Sequence, residues 1–372
     1  MCRARNVFLF CVLLLFAAPM RVIGGATFLA MVTSANNGTP LFREQGRGRG
    51  GYLIRFFGIG GDGGGWLASN AWWSRYPVCV AGAPGDCFWV LADRRHGSEL
   101  LELGPKCFHP VKKFAWTAAC PPSNTFAWPS PAAIATEHDG TFWLWFASRS
   151  WTHLRLRIYS PHLRRQLGSY TLGRGKYLAY SWVLAGRQAV VFLNTVAPGA
   201  KGCHVLVINE NGRARAIDLT SRVGWRPRYL ASIGNFVSGA APGRGGRTIK
   251  ELVNFTILPG GKITDVHIVR IMTPRHPMAS VTAYALLSRH TAVCALQGKH
   301  GPELDRISVD GGKVERGVAI PHKGISLCVL HGVVYLTSPL GIVRAYTPGL
   351  KLLGGFSPVD KFVGSMALAH GH

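Results

Sequence analysis

The sequence has few acidic residues, and it lacks the motifs of several large enzyme classes. Asp and Glu number 17 against 42 Lys and Arg, so the formal net charge is +25. The G-x-S-x-G, H-E-x-x-H and P-loop patterns are all absent. Carboxylates are too scattered for the sequence to establish the converging pair that glycosidases use. We therefore predict no catalytic residue, and an enzyme is less favoured than a binding protein.

Cofactor and metal signals are also missing. The glycines Gly58, Gly60 and Gly63 have the spacing of a dinucleotide fingerprint, but more glycine follows them instead of a helix. The cluster at Cys107 and His109 is too small for a metal site. The sequence therefore predicts neither a cofactor nor a metal ion.

Long apolar runs are absent, except at the N-terminus. Arg3 and Arg5 precede an uncharged apolar run at residues 7–18, and small residues follow at 24–26. This is the layout of a secretory signal peptide, with an apolar run short for a bilayer. We expect residues 1–26 to be a signal peptide and residues 27–372 to be one domain. The protein would then be secreted or lumenal. An uncleaved anchor and a mitochondrial presequence are the alternatives.

Long helical periodicity is missing too, and short strand patterns separated by turns take its place. One set of turns recurs at intervals of 43 to 55 residues, and a second set alternates with it. The first set comprises Asn37-Gly38, Gly85, Asp139-Gly140, Gly186, Gly234, Arg289-His290 and His331-Gly332. Two interleaved sets predict four strands per repeat, in the order A-turn-B, loop, C-turn-D. Repeats of about 40–50 residues with four strands are typical of β-propeller blades.

The repeat covers residues 27–356 and resembles β-propeller repeat proteins, without the motif of a named subfamily. The Trp-Asp pair of WD40 blades and the kelch double glycine are not matched. Residues 138–143 are similar to the Asp-box of sialidase-like propellers but lack its leading Ser. We predict an all-β fold, a β-propeller of seven four-stranded blades. The alternative is six blades plus an irregular N-terminal extension.

The two ends of the chain are predicted to meet. Blade one would use residues 27–33, 40–42, 52–57 and 66–68 as its four consecutive strands. Residues 362–368 form a further strand candidate after the last repeat. Pairing of this strand with blade one would close the ring and remove open sheet edges.

Cysteines and sequons fit an oxidising compartment. Cys79, Cys87, Cys107 and Cys120 are crowded where loops are longest, and we expect them to form two disulfides in one of three pairings. Cys203, Cys294 and Cys328 lie in apolar strands and are predicted to be buried thiols. Sequons at Asn37 and Asn254 predict a glycoprotein.

Strand direction alternates within a blade, and this sorts the basic residues. The A–B and C–D turns lie on one face of the disc, here the turn face. The B–C and D–A loops lie on the other, here the loop face. Basic residues are concentrated in the loops, with Trp151 as an aromatic neighbour. The predicted ligand-binding residues are Arg47, Arg49, Arg94, Arg95, Arg149, Trp151, Arg174, Lys176, Arg226, Arg228, Arg244, Arg247, Arg275, Lys299 and Lys323.

Guanidinium groups bind sulfate, phosphate and carboxylate in a bidentate manner. The sequence therefore predicts a secreted binding protein for an anionic macromolecule: a sulfated glycan, a nucleic acid or an acidic protein. A generally basic surface without a specific ligand fits the pattern equally well. The alternatives are a glycan-processing hydrolase of sialidase-like propeller type and a structural subunit of a mitochondrial assembly.

Overall fold

The computed structural model describes most of the chain after residue 26. The described residues are 27–34, 52–59, 65–67, 72–74, 78–82, 87–94, 97–104, 108–114, 117–118, 134–137, 139–147, 154–161, 164–172, 177–195, 203–241, 251–272, 280–330, 332–357 and 362–368. Within them no helix has the length and apolarity needed to cross a membrane.

The described residues form β-strands joined by turns and loops. The strands are β1 Thr27–Ser34, β2 Tyr52–Ile59, β3 Gly65–Leu67, β4 Trp72–Ser74, β5 Val78–Gly82, β6 Phe88–Arg94, β7 Gly97–Leu103, β8 Phe108–Phe114, β9 Thr117–Ala118, β10 Ile134–Thr136, β11 Phe142–Ala147, β12 Leu154–Tyr159, β13 Gln166–Leu172, β14 Tyr177–Leu184, β15 Gln188–Thr195, β16 His204–Asn209, β17 Ala214–Asp218, β18 Tyr229–Ile233, β19 Phe236–Ala240, β20 Glu251–Ile257, β21 Ile263–Arg270, β22 Ser280–Leu286, β23 Thr291–Gly298, β24 Gly301–Ser308, β25 Val314–Ala319, β26 Ser326–Leu330, β27 Val333–Thr337, β28 Val343–Tyr346, β29 Leu352–Phe356 and β30 Phe362–Leu368.

Six sheets are regular propeller blades, each made of consecutive antiparallel strands. In chain order they are blade 2 (β5–β8), blade 3 (β10–β13, with β9 added beside β11), blade 4 (β14–β17), blade 5 (β18–β21), blade 6 (β22–β25) and blade 7 (β26–β29). The first strand of each blade is its A strand and the fourth its D strand. The prediction of an all-β propeller is confirmed.

The remaining sheet joins the two ends of the chain. Its strands run in the order β3-β2-β1-β30, and β4 also pairs with β2. Antiparallel pairing places Leu29 opposite Leu368 and Met31 opposite Met366. The predicted closure of the ring by residues 362–368 is therefore confirmed.

This closing sheet differs from the predicted blade one. Thr27–Ser34 pairs directly with β2 along its whole length, so residues 40–42 are not the strand between them. Those residues lie outside the described part of the chain. The outer position is filled by two three-residue strands, β3 and β4, instead of one D strand. Regular blades made of consecutive strands thus number six, as in the alternative count, and the expectation of seven such blades is wrong.

The core lies between neighbouring blades and follows from the period-two alternation of side chains in a strand. In β15, Ala189, Val191 and Leu193 pack towards blade 3. The intervening Val190 and Phe192 pack towards blade 5. A strand buried on both faces is apolar at nearly every position.

Aromatic pairs bridge four blade junctions. Their ring centroids lie 5.2 to 6.2 Å apart, and the pairs are Phe56–Phe88, Trp89–Phe142, Trp145–Trp182 and Phe192–Phe255. Tilted and edge-on contacts of this kind add about 0.5–1.5 kcal/mol beyond burial. Trp143 and Trp145 also lie in the core, where they are 0% and 3% exposed.

The cysteine prediction is partly wrong. Cys87 is a free thiol, so the proposed set of two disulfides does not form. Cys79 is paired with Leu91 in the β5–β6 hairpin, four rows from Cys87. That separates their Cα atoms by about 13 Å along the strand, beyond the roughly 7 Å limit of a disulfide. Cys107 and Cys120 lie outside the described residues.

The three cysteines predicted to be buried thiols are free in the structure. Cys203 and Cys294 are 0% exposed, while Cys328 is half-buried. Burial raises the pKa of Cys203 and of Cys328 to about 12. The prediction is confirmed for Cys203 and Cys294.

The predicted glycan at Asn254 is incompatible with the fold. Asn254 is buried in β20, where its Nδ2 donates to the backbone oxygen of Val309 at 2.8 Å. Its Oδ1 accepts from Ser238, whose hydroxyl also contacts the Tyr284 hydroxyl at 2.6 Å. A glycan on Nδ2 would break this network between blades 5 and 6. The other sequon, at Asn37, lies outside the described residues.

Candidate functional site

Few of the predicted ligand-binding residues have described side chains. Arg226, Arg228, Lys299 and Lys323 do, and all four lie in or beside B–C or D–A loops. Arg94 ends β6, where only its backbone is described. The others lie outside the described residues: Arg47, Arg49, Arg95, Arg149, Trp151, Arg174, Lys176, Arg244, Arg247 and Arg275.

The D–A loop between blades 4 and 5, residues 219–228, is held in one conformation by backbone hydrogen bonds. Leu219 donates its N–H to the oxygen of Cys203 at 2.8 Å, and its own oxygen accepts from Arg222 and Val223 at 2.9 and 2.7 Å. Val223 is fully buried between the blades. The turn therefore has a buried anchor, and it presents Arg222 to solvent.

The second half of this loop is anchored as well. Ser181 of β14 donates its hydroxyl to the oxygen of Pro227 at 2.7 Å, and Arg228 donates its N–H to the oxygen of Ala240 at 3.0 Å. The Arg228 guanidinium lies 5.3 Å from the ring centroid of Tyr229, a cation–π contact. The loop is thus a preorganised support for basic side chains.

Arg222 is not among the ligand-binding residues predicted from the sequence, although it lies in the same loop as Arg226 and Arg228. It is the most exposed of the three. In the structure, the N–H groups of Arg222 and Val223 both donate to the oxygen of Leu219. In this turn the Val223 side chain is buried and the Arg222 side chain is exposed.

Three of the four completely described loops of the loop face carry basic residues, and the fourth, 338–342, carries no charge. The four loops are 219–228, 299–300, 320–325 and 338–342. They contain Arg222, Arg226, Arg228, Lys299 and Lys323, with His300 and His322, and no Asp or Glu. The described part of the loop face therefore carries a net positive charge.

Two acids border this face at strand ends, and both have partners. Asp218 lies 3.5 Å from the Nδ1 of His204, and hydrogen bonds from Thr220 hold its pKa below the usual value. Glu251 accepts a hydrogen bond from the indole N–H of Trp225. Both carboxylates therefore accept hydrogen bonds from residues of loop 219–228.

The turn face has a different charge pattern, because its acids lie within reach of basic residues. Arg187 lies 3.0 Å from Asp139 and 3.5 Å from Glu210. His290 Nδ1 lies 2.7 Å from Asp310 Oδ2. The described turns also carry basic residues, so the two faces differ in the presence of acids and not in a lack of basic residues on the turn face; these residues are Arg164, Arg165, Arg213, Lys262, Arg289, Lys313 and Lys351.

Two neighbouring carboxylates of the kind that a hydrolase could use do occur, but they are buried within blade 6. Glu303 and Asp305 lie two residues apart on β24, and a Cβ on Gly317 would meet an oxygen of each at 2.6 Å. They are 7% and 2% exposed, on the third strand of blade 6. The A strands are the innermost strands of a propeller, so a substrate at the centre of the ring would not reach carboxylates on the third strand. Among the described residues, no group of three or more His, Cys, Asp or Glu could hold a metal ion.

Comparison with known proteins supports the fold alone. No protein-family model matches the chain, and no curated protein matches it in sequence. A structure from Lactobacillus plantarum is similar with a TM-score of 0.63 at 12% identity, over 93% of this chain and 100% of that one. A Bacteroides fragilis protein, provisionally described as a 6-phosphogluconolactonase, has a TM-score of 0.58 at 12% identity, over 93% and 98%. Saccharomyces cerevisiae Sqt1 has a TM-score of 0.51 at 11% identity, over 84% and 83%. Identities this low identify a β-propeller without a subfamily.

Proposed function

We propose that this chain is a binding protein that recognises an anionic macromolecule through its loop face. The polymer would be a sulfated glycan or a nucleic acid, with an acidic protein as the alternative. The observation that carries the proposal is the set of four completely described loops with five Lys and Arg and no acid.

Rigidity supports the proposal as much as charge does. The support of loop 219–228 is fixed by hydrogen bonds from Leu219, Val223 and Arg228. Ordering a mobile loop on binding costs conformational entropy, and a loop whose backbone is already fixed avoids that part of the cost. Arg is also the residue suited to bidentate contact with sulfate or phosphate oxygens.

The compartment stays a prediction from the sequence. We propose secretion or a lumenal location on the basis of residues 1–26, with mitochondrial import as the alternative. A free thiol at Cys87 removes one reason for an oxidising compartment but is compatible with either location.

The test compares charge reversal on the two faces at equal change in net charge. The loop-face variant combines Arg222→Glu, Lys299→Glu and Lys323→Glu. The turn-face control combines Lys262→Glu, Lys313→Glu and Lys351→Glu. All six side chains are at least partly exposed, so neither variant should disturb the core. Binding to fluorescent heparin fragments and to single-stranded DNA is measured between about 50 and 300 mM salt, a range over which screening changes substantially.

We expect the loop-face variant to lose at least about tenfold in affinity and the control to lose less than about threefold. Each lost phosphate contact should reduce the slope of log affinity against log salt by about 0.7–0.9. Equal losses of affinity in the two variants would mean that the loop face contributes only non-specific charge. Unchanged binding in both would contradict the polyanion proposal.

A further inference from the structure

At the junction of blades 3 and 4, two carboxylates of the turn face share one guanidinium, and a third carboxylate, Glu137, lies in the same turn as one of them. Glu137 and Asp139 come from the A–B turn of blade 3, and Glu210 comes from the C–D turn of blade 4. Arg187, in the A–B turn of blade 4, reaches Asp139 with Nη2 at 3.0 Å and Glu210 with Nε at 3.5 Å. Other described basic residues at this junction are Arg213, in the turn of Glu210, and Arg164 and Arg165, in the C–D turn of blade 3.

The backbone holds these carboxylates together. Glu137 donates its N–H to Thr141 and accepts from the N–H of Gly140, at 2.8 and 3.0 Å. On the other side, the turn of Glu210 lies directly on β13. A Cβ on Gly168 would come within 2.4 Å of the Glu210 backbone oxygen, and one on Gly212 within 2.3 Å of the Ser169 oxygen. The turns therefore cannot separate the acids without opening the junction.

Glu137 is the member of this group that titrates near neutral pH. Burial raises its pKa to about 7, with the charges of Asp139 and then Glu210 acting in the same direction. The hydrogen bond from the Trp143 indole, at 2.9 Å, and the charge of Arg187 oppose the rise only in part. The pKa of Asp139 is lowered, because hydrogen bonds from Thr141 outweigh the effect of partial burial.

We propose that Glu137 is a proton-binding site whose occupancy controls how tightly blades 3 and 4 pack at the turn face. The proton removes the repulsion of Glu137 by Asp139 and Glu210, while the ion pairs of Arg187 with those two carboxylates remain. These are the charged groups that face Glu137 from its own turn and from blade 4. The C–D turn of blade 3, whose Pro161 packs beside Gly140, adds the exposed Arg164 and Arg165. On the blade 2 side, β5 contains no Asp, Glu, Lys, Arg or His, and Asp86 of the adjacent A–B turn lies outside the described residues. His138, next in sequence, lies outside the described residues.

The direction of the pH effect follows from the raised pKa. A carboxyl that binds its proton more tightly in the folded state makes folding favourable below its pKa. That contribution is complete below the unfolded value of 4.5 and is lost as the pH rises to about 7. The junction should therefore be tighter in mild acid than at pH 8.

The test measures thermal unfolding and amide hydrogen exchange of the full chain from pH 5 to pH 9. In the wild type, we expect the Tm to fall from pH 5 to about pH 7 and to level off at higher pH. Exchange at residues 139–141 and 210–213, corrected for its intrinsic pH dependence, should rise at least threefold, while residues 258–262 of blade 5 should not change. Glu137→Gln should abolish both effects. Glu315→Gln, the same change in an ion-paired carboxylate of blade 6, and His138→Asn should preserve them.

A second variant keeps the proposal testable if Glu137→Gln fails to fold. Glu210→Gln removes one like charge, so the fall in Tm should persist but should level off at a lower pH than in the wild type. The same levelling-off pH in Glu210→Gln and wild type would overturn the proposal, as would an unchanged fall in Glu137→Gln or its loss in His138→Asn.

Discussion

Adding one methyl group at Gly168 should separate blades 3 and 4. Gly168 lies buried in β13, and a Cβ there would come within 2.4 Å of the Glu210 oxygen and 2.5 Å of the Gly212 nitrogen. Both are backbone atoms of a hydrogen-bonded turn, so no side chain can rotate aside. Overpacking costs typically about 1–3 kcal/mol, and backbone clashes fall at the upper end. We expect Gly168→Ala to lower the free energy of unfolding by about 3 kcal/mol.

Two other glycines distinguish the cost of the steric clash from the cost of replacing a glycine. Gly224 has no positive φ, and a Cβ there would meet no atom within 4 Å, so Gly224→Ala should change stability by less than about 0.5 kcal/mol. Gly260 has equally open space but a φ of +83°, so Gly260→Ala should cost about 1–2 kcal/mol of backbone strain. Gly212, with a φ of +76° and a contact at 2.3 Å, combines both effects. Its alanine variant should therefore be the least stable of the four.

The assay is urea unfolding followed by tryptophan fluorescence, with Tm as a second measure. For a chain of this size, about 3 kcal/mol corresponds to roughly 5 °C in Tm. If Gly168→Ala and Gly224→Ala lowered the free energy of unfolding by amounts within about 1 kcal/mol of each other, the junction of blades 3 and 4 would have to adjust to the added methyl group. That result would refute the reasoning from contact distances.

Three further changes should have defined outcomes. Truncation after residue 361 removes β30 and exposes the edge of β1, so we expect aggregation or a large loss of Tm, and a soluble monomer with unchanged Tm would contradict ring closure. Tyr284→Phe removes the hydroxyl that contacts Ser238 at 2.6 Å, so urea unfolding should show a loss of about 1–2 kcal/mol, against no loss if the hydroxyl is unimportant. Cys203 and Cys294 are fully buried with raised pKa values, so a thiol reagent at pH 8 should label them only in denaturant, and labelling of the native protein would place them at the surface instead.

The fold could be predicted largely because its information is local. Turns such as Asn211-Gly212 and the apolar run of β15 reflect constraints within one hairpin. The pairing of β1 with β2 could not be read in the same way. Residues 35–51 separate these strands in sequence and include the predicted strand 40–42. No local pattern shows that β1 pairs with β2 and not with that predicted strand.

The buried network of Asn254 shows the same limit. Its sequon is a local pattern, whereas the partners that exclude a glycan come from Ser238 and from Val309 of the next blade. The Glu137 cluster also needs two blades: Asp139 and Arg187 come together only because A–B turns of successive blades are neighbours. Sequence predicted the basic loops, but contacts across junctions required the structure.

The distribution of charges in the described residues follows from the way a propeller uses its surfaces. Blade faces pack against each other and must be apolar, so charges are confined to the outer strands and the two ends of the disc. On the turn face, short turns of successive blades lie close enough for Arg187 to reach acids of two blades. On the described loop face, no acid occurs in loops that carry Arg222, Lys299 and Lys323. Because salt screens exposed charges beyond about 8 Å under physiological conditions, this excess acts only on a partner that touches the loops.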